Sequence, residues 1–415
     1  MAERVVDVLV QIGDEELLAG RLWSHRRRNA ESATFAYDAG YLASPLAYEL
    51  DPALSLVAGQ QQTATGRAIF GAFSDCAPDR WGRRLINRAE EQRVREEGAG
   101  AGRSFGEIDY LLGVRDDLRQ GALRFREPAS GTYLASEHSG VPHLIALPEL
   151  LSASERLERD EATAAQLQAL LRGGSSLGGA RPKAHVLAPD GRIAIAKFPS
   201  VAADEWDVIR WESVALRLAR AAGILTSDNA LHVIDGKPVL VVDRFDRSGS
   251  RRLGYASAMT MLEATDGGEG SYLDIAAVIE EHSPHATSDL RELWRRIAFS
   301  ILIRNTDDHL RNHGFLRAST AGWALSPAFD LNPDPRPGPK HLTTAITYDA
   351  TEARVDLLLQ VADMFRLSAS DARAILAEVS DATARWRAVA GDAGLDDAAI
   401  ERMAPAFEHE ETDRP

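Results

Sequence analysis

A short polar segment that follows an apolar helical pattern carries the residue types needed for phosphoryl transfer. Residues 305–313 read Asn-Thr-Asp-Asp-His-Leu-Arg-Asn-His. An aspartate such as Asp307 can orient a substrate hydroxyl and take up its proton, and the oxygen of Asn312, five positions later, can hold Mg²⁺. Asp330 offers a second hard oxygen ligand further along the chain. We expect Asp307 to be catalytic, and Asn312 and Asp330 to bind the metal.

The residues before this segment predict the rigid element that holds it. Apolar side chains recur there at helical spacing: Leu290, Leu293, Trp294, Ile297, Ala298, Ile301 and Leu302. Ser288 and Asp289 suit the first turn of such a helix. His309 and His313 have a spacing that could ligate zinc, but no strong third ligand accompanies them. We therefore favour nucleotide contact by His309 and bracing of the loop.

A glycine-rich segment lies upstream, where residues 173–183 read Gly-Gly-Ser-Ser-Leu-Gly-Gly-Ala-Arg-Pro-Lys. Gly178 and Gly179 would let backbone N–H groups approach phosphate oxygens, and Lys183 would add positive charge. Taken alone, the segment is equally consistent with a flexible surface loop. Two strands are predicted after it, at 184–188 and 193–198, joined by a Pro-Asp-Gly turn.

Lys197 ends the second of these strands, and a helix predicted at 204–222 follows it. Glu212 falls on the apolar face of that helix, where an unpaired carboxylate would be costly. Lys197 is the candidate partner, and a pair of this kind positions ATP phosphates in kinases. The alternative is a Lys197 side chain that leaves the strand end for solvent.

A further predicted hairpin, with strands at 230–234 and 238–243, leads into Asp243-Arg244-Phe245. We expect Asp243 and Phe245 to meet an adenine ring there, although a charged strand exit is an equally open interpretation. The order is glycine loop, two strands, helix and two strands, and helical patterns dominate after residue 255. This order is that of a kinase small lobe followed by a large lobe.

Composition limits the remaining possibilities. The chain has 415 residues, of which 45% are hydrophobic and 26% charged, as in ordinary globular proteins. Its single cysteine, Cys76, excludes an intrachain disulfide, and neither a signal peptide nor a membrane-spanning run is evident. We therefore expect a cytoplasmic protein without membrane contact. A net charge of −15 disfavours extensive direct binding to nucleic acid, and the arginine clusters at 26–28 and 80–84 are best read as solvated patches.

The sequence resembles the HipA family, the kinase toxins of bacterial type II toxin–antitoxin systems. The catalytic stretch is similar to Thr306-Asp307-Asp308-His309-Leu310-Arg311-Asn312, and the metal-binding stretch to Pro327-Ala328-Phe329-Asp330. The nucleotide loop resembles Ser176-Leu177-Gly178-Gly179-Ala180-Arg181-Pro182-Lys183, followed by Lys197 and Asp243-Arg244-Phe245. The resemblance covers residues 175–333 and extends more loosely to both ends of the chain.

The resemblance implies a serine/threonine protein kinase that uses ATP and Mg²⁺, with Phe329 among its nucleotide contacts. Substrates in the family are translation components, notably an aminoacyl-tRNA synthetase. The usual partner is a small helix-turn-helix antitoxin, so contact with DNA would be indirect. Ser176 matches the serine that the family autophosphorylates, and a phosphate there would repel the ATP phosphates. Ser175 is an adjacent candidate for the same modification.

Together these patterns predict an α+β, bilobal protein-kinase-like fold. We expect a β-rich N-terminal module at 1–110, a small lobe at 111–247, a helical large lobe at 248–405 and a frayed acidic tail at 406–415. Two rival functions remain open. One is a small-molecule phosphotransferase of the aminoglycoside or choline kinase type, and the other is a non-catalytic co-repressor that stabilises a DNA-binding antitoxin.

Overall fold

The structure, a computed structural model, describes residues 4–27, 30–98, 102–135, 141–174 and 179–412. The chain divides into two compact units. The first unit comprises residues 1–203, 246–256 and 316–320, and the second comprises 204–245, 257–315 and 321–415. In the described parts of the chain, no helix is both long and apolar enough to cross a membrane.

An antiparallel sheet and several helices open the first unit. The strands are β1 Arg4–Ile12, β2 Glu15–Arg27, β3 Ala30–Tyr37, β4 Gln60–Gln62 and β5 Leu123–Arg126, in the order β4-β3-β2-β1-β5. The helices are α1 Ala39–Leu42, α2 Gly71–Asp75, α3 Arg80–Glu97 and α4 Glu107–Gly113. Phe73 packs edge-on against Phe35 and Phe125, each 5.8 Å away between ring centroids. The β-rich start predicted from the sequence is confirmed.

Two helices and a hairpin complete the main part of the first unit. These elements are α5 Leu147–Glu158, α6 Ala164–Arg172, β6 Lys183–Leu187 and β7 Ile193–Lys197. The two strands pair antiparallel in a register that sets Lys183 opposite Lys197. Gly191 adopts a φ of +84° in the Pro-Asp-Gly turn, a conformation that glycine reaches without strain. The hairpin predicted here is confirmed.

The second unit begins with α7 Val208–Ala221, β8 Asn229–Ile234 and β9 Lys237–Asp243. The helix starts four residues after the predicted Asp204, because the Asp207 carboxylate caps it by accepting from Arg210 N. It ends as predicted, with Gly223 at a φ of +78°. The strands β8 and β9 form the second predicted hairpin, joined at Asp235 and Gly236.

The remainder of the chain is mainly helical. It contains β10 Arg247–Ser248, β11 Arg251–Arg252, β12 Gly254–Ser257, α8 Ala258–Met261, α9 Tyr272–His282, α10 Ala286–Leu302, β13 Gly314–Arg317, β14 Ala324–Leu325, α11 Val355–Gln360, α12 Ala369–Thr383, α13 Trp386–Asp392 and α14 Asp397–Phe407. Within the second unit, Trp386 stacks on Phe407 at 4.8 Å, and Trp211 of α7 lies 6.1 Å from each. These three rings fasten the C-terminal helices to α7.

The acidic end of the chain is packed as far as the structure describes it. Glu411 is buried, and its Oε2 accepts a 2.8 Å hydrogen bond from Val355 N at the start of α11. The helix α14 itself runs to Phe407. The acidic composition of residues 406–412 suggested a frayed tail, but Glu411 caps a helix instead of meeting solvent.

Candidate active site

The polar segment at residues 305–313 directly follows the helix α10, which fixes its position. Its apolar face is buried, and the helix ends at Leu302 with Arg304 in the left-handed region at a φ of +51°. Asn305 follows and is buried, with its backbone N–H bonded to Ser300 O at 2.8 Å. Its Oδ1 accepts a 3.3 Å hydrogen bond from Asn332 N. Asn305 therefore ties the start of the loop both to α10 and to the segment that carries Asp330.

The two residues predicted to work together lie together. The Asn312 side chain is buried, and its Nδ2 donates to the backbone oxygen of Asp307 at 2.9 Å. His309 N donates to the same oxygen at 3.1 Å, and Asn312 N donates to His309 O at 2.8 Å. The Asp307 side chain is exposed. The loop is thus closed on itself by two main-chain bonds and by the Asn312 side chain, and the carboxylate of Asp307 is exposed.

Asp308, which the sequence did not single out, is buried beneath this loop. Its Oδ2 accepts from Tyr272 Oη at 2.6 Å and from Ser300 Oγ at 3.0 Å, and His313 Nε2 lies 3.1 Å from its Oδ1. Burial alone would raise the pKa of Asp308, yet His313, Tyr272 and Ser300 together hold it below its usual value. An ionised carboxylate therefore anchors the loop to α9 and α10.

A third set of contacts fixes the other side of the loop. Thr344 Oγ1 donates to Asp308 O at 2.6 Å, and Thr343 N and Oγ1 both donate to Thr306 O. Thr306 Oγ1 donates to Asp334 Oδ2 at 3.2 Å. The backbone on both sides of Asp307 is consequently held in place by side chains more than twenty residues away, which no local pattern indicates.

Asp330 occupies an unusual backbone conformation. Its φ of +60° lies in the left-handed region, which residues other than glycine adopt rarely and often at functional sites. Asn332 Nδ2 donates to Asp330 Oδ1 at 3.3 Å, and two residues earlier Ala328 N bonds to Leu225 O at 2.7 Å. The segment is thus held on both sides of Asp330, and the binding of a metal by its carboxylate stays a prediction.

The donor set fits Mg²⁺ better than zinc. The amide nitrogen of Asn312 is used by Asp307 O, which leaves the amide oxygen as the atom that a cation would take. Carboxylate and amide oxygens are the ligands that Mg²⁺ prefers. Over the described residues, no group of three histidine, cysteine or acidic side chains is placed to hold a metal, and His313 is engaged with Asp308. Zinc at His309 and His313 stays the weaker alternative, because His313 Nε2 lies 3.1 Å from the Asp308 carboxylate.

The aromatic residues predicted to meet a nucleotide lie against each other. Phe245 and Phe329 are half-buried, with ring centroids 5.4 Å apart and planes inclined by 35°. Asp243 ends β9, where its backbone N–H bonds to Asp228 O at 2.8 Å. The two rings connect the end of the hairpin with the segment that carries Asp330, and their contact with adenine stays a prediction.

Part of the predicted glycine loop, including Ser176 and Gly178, lies outside the described residues. At its base, Gly173 O accepts from His185 N at 2.7 Å and lies 2.8 Å from His185 Nδ1, so the two ends of the loop meet. Gly179 has a φ of +114°, and Lys183 is buried at the start of β6. Lys183 Nζ pairs with Asp79 Oδ2 at 2.8 Å, a partner that the sequence did not reveal.

Lys197 and Glu212 belong to different units. Lys197 is half-buried at the end of β7 in the first unit, whereas Glu212 is buried on α7 in the second. The burial of Glu212 confirms that this carboxylate lies on the apolar face of its helix. The pairing of Lys197 with Glu212 stays a prediction.

Comparison with known proteins agrees with this arrangement. Residues 175–386 match the family model of the HipA-like C-terminal domain. A HipA toxin of Shewanella oneidensis MR-1, solved with HipB and its operator DNA, superposes with a TM-score of 0.64 at 15% identity, covering 97% of this chain and 96% of that one. A proinflammatory kinase of Helicobacter pylori, CtkA, gives a TM-score of 0.43 at 15% identity over 55% of this chain and 88% of that one.

A curated relative from Haemophilus influenzae, described as a putative kinase, is 25% identical over 135 residues. That match spans 29% of this chain and 39% of the relative, well under two thirds of its length. The α+β architecture and the superposition on the Shewanella structure confirm the predicted kinase-like fold. The chain belongs to the HipA family, as its match over half its length shows.

Proposed function

We propose that this chain is an ATP- and Mg²⁺-dependent serine/threonine protein kinase that acts as the toxin of a toxin–antitoxin pair. The observation that supports it most is the closed loop from Asp307 to Asn312, in which the Asp307 side chain is exposed and the Asn312 amide is buried and bonded to the Asp307 main chain. The strained Asp330 supplies the second oxygen ligand. These three groups are the ones that phosphoryl transfer requires.

The chemistry follows from where each side chain is held. Asp307 would accept the proton of the substrate hydroxyl while that oxygen bonds to the γ-phosphorus of ATP. The bond from that phosphorus to the β,γ-bridging oxygen breaks, and ADP leaves. Asn312 and Asp330 would hold Mg²⁺, which neutralises phosphate charge when bound. The rigid anchoring of the loop through Asn305 and Asp308 keeps Asp307 oriented without further rearrangement.

The partners follow from the family and the net charge. The similar Shewanella protein was solved with HipB and operator DNA, and we propose a helix-turn-helix antitoxin of that kind for this chain. At a net charge of −15, contact with DNA would run through that antitoxin. The proposed substrate is a translation component such as an aminoacyl-tRNA synthetase, in the cytoplasm. Ser176 is the proposed site of inhibitory autophosphorylation.

Phosphoproteomics in the host distinguishes the proposal from its rivals. Induction of the wild type should raise phosphorylation at serine or threonine of a few proteins, and Asp307→Asn should abolish these signals. The same spectra would map phosphate to Ser176 or Ser175. Transfer to amino-alcohol compounds without any protein substrate would instead favour a small-molecule phosphotransferase. Identical phosphoproteomes with and without the wild-type chain would favour a co-repressor.

Removal of the carboxylate at Asp330 tests the metal site separately. Asp330→Ala should weaken ATP binding in the presence of Mg²⁺ while leaving the much weaker binding of metal-free ATP unchanged, because the carboxylate acts through the cation. Calorimetric titration with and without Mg²⁺ measures both affinities. An equal loss in the two titrations would show that Asp330 does not hold the metal.

A further inference from the structure

A buried carboxylate just before α3 contacts the lysine that follows the glycine loop. Asp79 Oδ1 accepts a 2.7 Å hydrogen bond from Gly82 N and so caps α3, while its Oδ2 receives the 2.8 Å contact from Lys183 Nζ. Each of the two side chains is only 7% exposed. Both residues belong to the first unit. Asp79 stands outside the matched family region and has no role in the site described above.

Lys183 is held at its main chain as well as at its ammonium group. Trp81, in the first turn of α3, is buried and donates from Nε1 to Lys183 O at 3.0 Å. Pro182 O, one residue earlier, accepts from Phe198 N at 2.9 Å. The start of α3 therefore contacts Lys183 twice, through Trp81 at the main chain and through Asp79 at the ammonium group. These two contacts fix the direction of a side chain that is otherwise flexible.

The ammonium group lies against the glycine loop. A Cβ atom built on Gly179 would come within 2.9 Å of Lys183 Nζ, and Gly179 has a φ of +114° that other residues rarely adopt. A side chain at Gly179 would meet the Lys183 ammonium, and the left-handed φ independently favours glycine at this position. The Asp79 carboxylate and the backbone of Gly179 therefore both lie close to the Lys183 ammonium.

The Asp79 carboxylate is buried, so its charge depends on the groups that contact it. Burial raises the pKa of Asp79, in spite of the opposing effect of Lys183 and of the hydrogen bond from Gly82 N. The carboxylate is further stabilised by its position at the N-terminal end of a long helix. The Lys183 ammonium and the Gly82 N–H are therefore the groups that offset the burial of this carboxylate.

We propose that Asp79 is a positioning residue for nucleotide binding, which holds the Lys183 ammonium against Gly179 where it attracts the phosphates of ATP. The proposal rests on the proposed kinase function and deepens it, since it makes the N-terminal module a part of the nucleotide site. Asp79 would act on Lys183 as the glutamate acts on the lysine in the lysine–glutamate pair of kinases. In that pair, an acid that does not contact the nucleotide orients a lysine that does.

The test compares nucleotides that differ only in their phosphates. Asp79→Asn keeps the size of the side chain and an oxygen that can cap α3, but it removes the charge that orients Lys183. We expect the dissociation constant of ATP to rise about tenfold, as for a lost charge-assisted contact, and that of adenosine to change less than twofold. Titration calorimetry or competition with a fluorescent ATP analogue gives both constants on folded protein.

Asp51→Asn is the matched control. Asp51 is another buried carboxylate of the first unit, and it accepts from Ala53 N at 2.8 Å and Ala72 N at 2.7 Å. Its loss should lower the melting temperature without changing the ratio of ATP to adenosine affinity. A structural role for Asp79 would produce the same result as Asp51→Asn.

A double variant keeps the test valid if Asp79→Asn alone does not fold. Asp79→Asn combined with Lys183→Met leaves no unpaired charge in the buried site, and it should bind ATP as weakly as Lys183→Met alone. The proposal is overturned by unchanged or tighter ATP binding in Asp79→Asn, by equal losses for ATP and adenosine, or by a further loss in the double variant. A wild-type chain that binds no ATP would overturn the kinase function itself and this proposal with it.

Discussion

Two adjacent aspartates in the catalytic loop have opposite environments. Asp307 is exposed, whereas Asp308 is 4% exposed and surrounded by Tyr272, Ser300 and His313. The exposed carboxylate is the one that we propose meets a substrate hydroxyl, and the buried one fixes the backbone from which the first projects. A buried acid at this position is therefore a condition for the precise orientation of its neighbour.

We predict that Asp308→Asn lowers the free energy of unfolding by about 1–3 kcal/mol, because it leaves buried partners incompletely satisfied. Turnover should fall more than ATP affinity does, since Asp308 fixes the backbone from which the neighbouring Asp307 projects. Urea unfolding and steady-state kinetics on the same preparation measure both. The control is Asp266→Asn, which breaks an exposed pair with Arg311 and should cost no more than about 1 kcal/mol. A loss in the control as large as that in Asp308→Asn would refute the assigned role.

The sequence predicted Asp307, Asn312 and Asp330 because their spacing is local or follows a recognisable order. It did not indicate Asp308, because two consecutive aspartates look alike until the residues beneath them are known. Tyr272 comes from α9 and Ser300 from α10, and only the packing of these helices places both hydroxyls at the same carboxylate. The contact of Lys183 with Asp79 was missed for the same reason, since 104 positions separate them.

At the level of elements, periodicity and turn residues predicted the helices and hairpins that carry the site. The apolar repeat from Leu290 to Leu302 corresponds to α10, and the turns at Gly191 and Gly236 join the two hairpins. The beginning of α7 was displaced because Asp204, Glu205 and Asp207 all lie near it. Only the structure shows that Asp207 is the cap, because capping depends on backbone angles that neighbouring acids do not reveal.

Lys197 on β7 and Glu212 on α7 are the predicted ion pair between two elements. If Lys197 and Glu212 interact, Lys197→Met and Glu212→Gln should each reduce activity and stability, and the double variant should lose less than the sum. The buried position of Glu212 makes its single change the more costly to stability, at about 1–3 kcal/mol. A double-mutant cycle in unfolding free energy and in kcat/KM measures the coupling. Strictly additive losses would show that the two residues act independently.

For the whole molecule, the free energy of unfolding should depend on pH through Asp334, the carboxylate that accepts a hydrogen bond from Thr306. Asp334 pairs with Arg336 at 2.9 Å and with Lys340 at 3.0 Å. Burial alone would raise the pKa of Asp334, but hydrogen bonds from Arg336 and Lys340 lower it to about 2. The ordinary value is about 3.9, so the folded state binds fewer protons than the unfolded state between these values. Stability from Asp334 is then complete above about pH 4 and is lost as the pH falls towards 2.

We therefore predict that wild type is more stable than Asp334→Asn at pH 6 and that this difference shrinks as the pH is lowered from 5 to 3. Urea unfolding at a series of pH values gives the difference directly. Asp356→Asn serves as the control, because Asp356 forms an exposed pair with Arg354 and should show a smaller difference at every pH. A gap between wild type and Asp334→Asn that stays constant down to pH 3 would contradict the lowered pKa.

In the proposed mechanism, Asp307 catalyses transfer of the γ-phosphate of ATP. The most direct measurement follows Mg²⁺-dependent phosphate incorporation into protein from labelled ATP, with ATP affinity determined on the same samples of wild type and Asp307→Asn. We predict that Asp307→Asn binds ATP with unchanged affinity. Its turnover should fall by about 10²–10⁴-fold, as for removal of a general base. Full turnover by folded Asp307→Asn, or a wild type that binds Mg²⁺ and ATP without transferring phosphate, would contradict it.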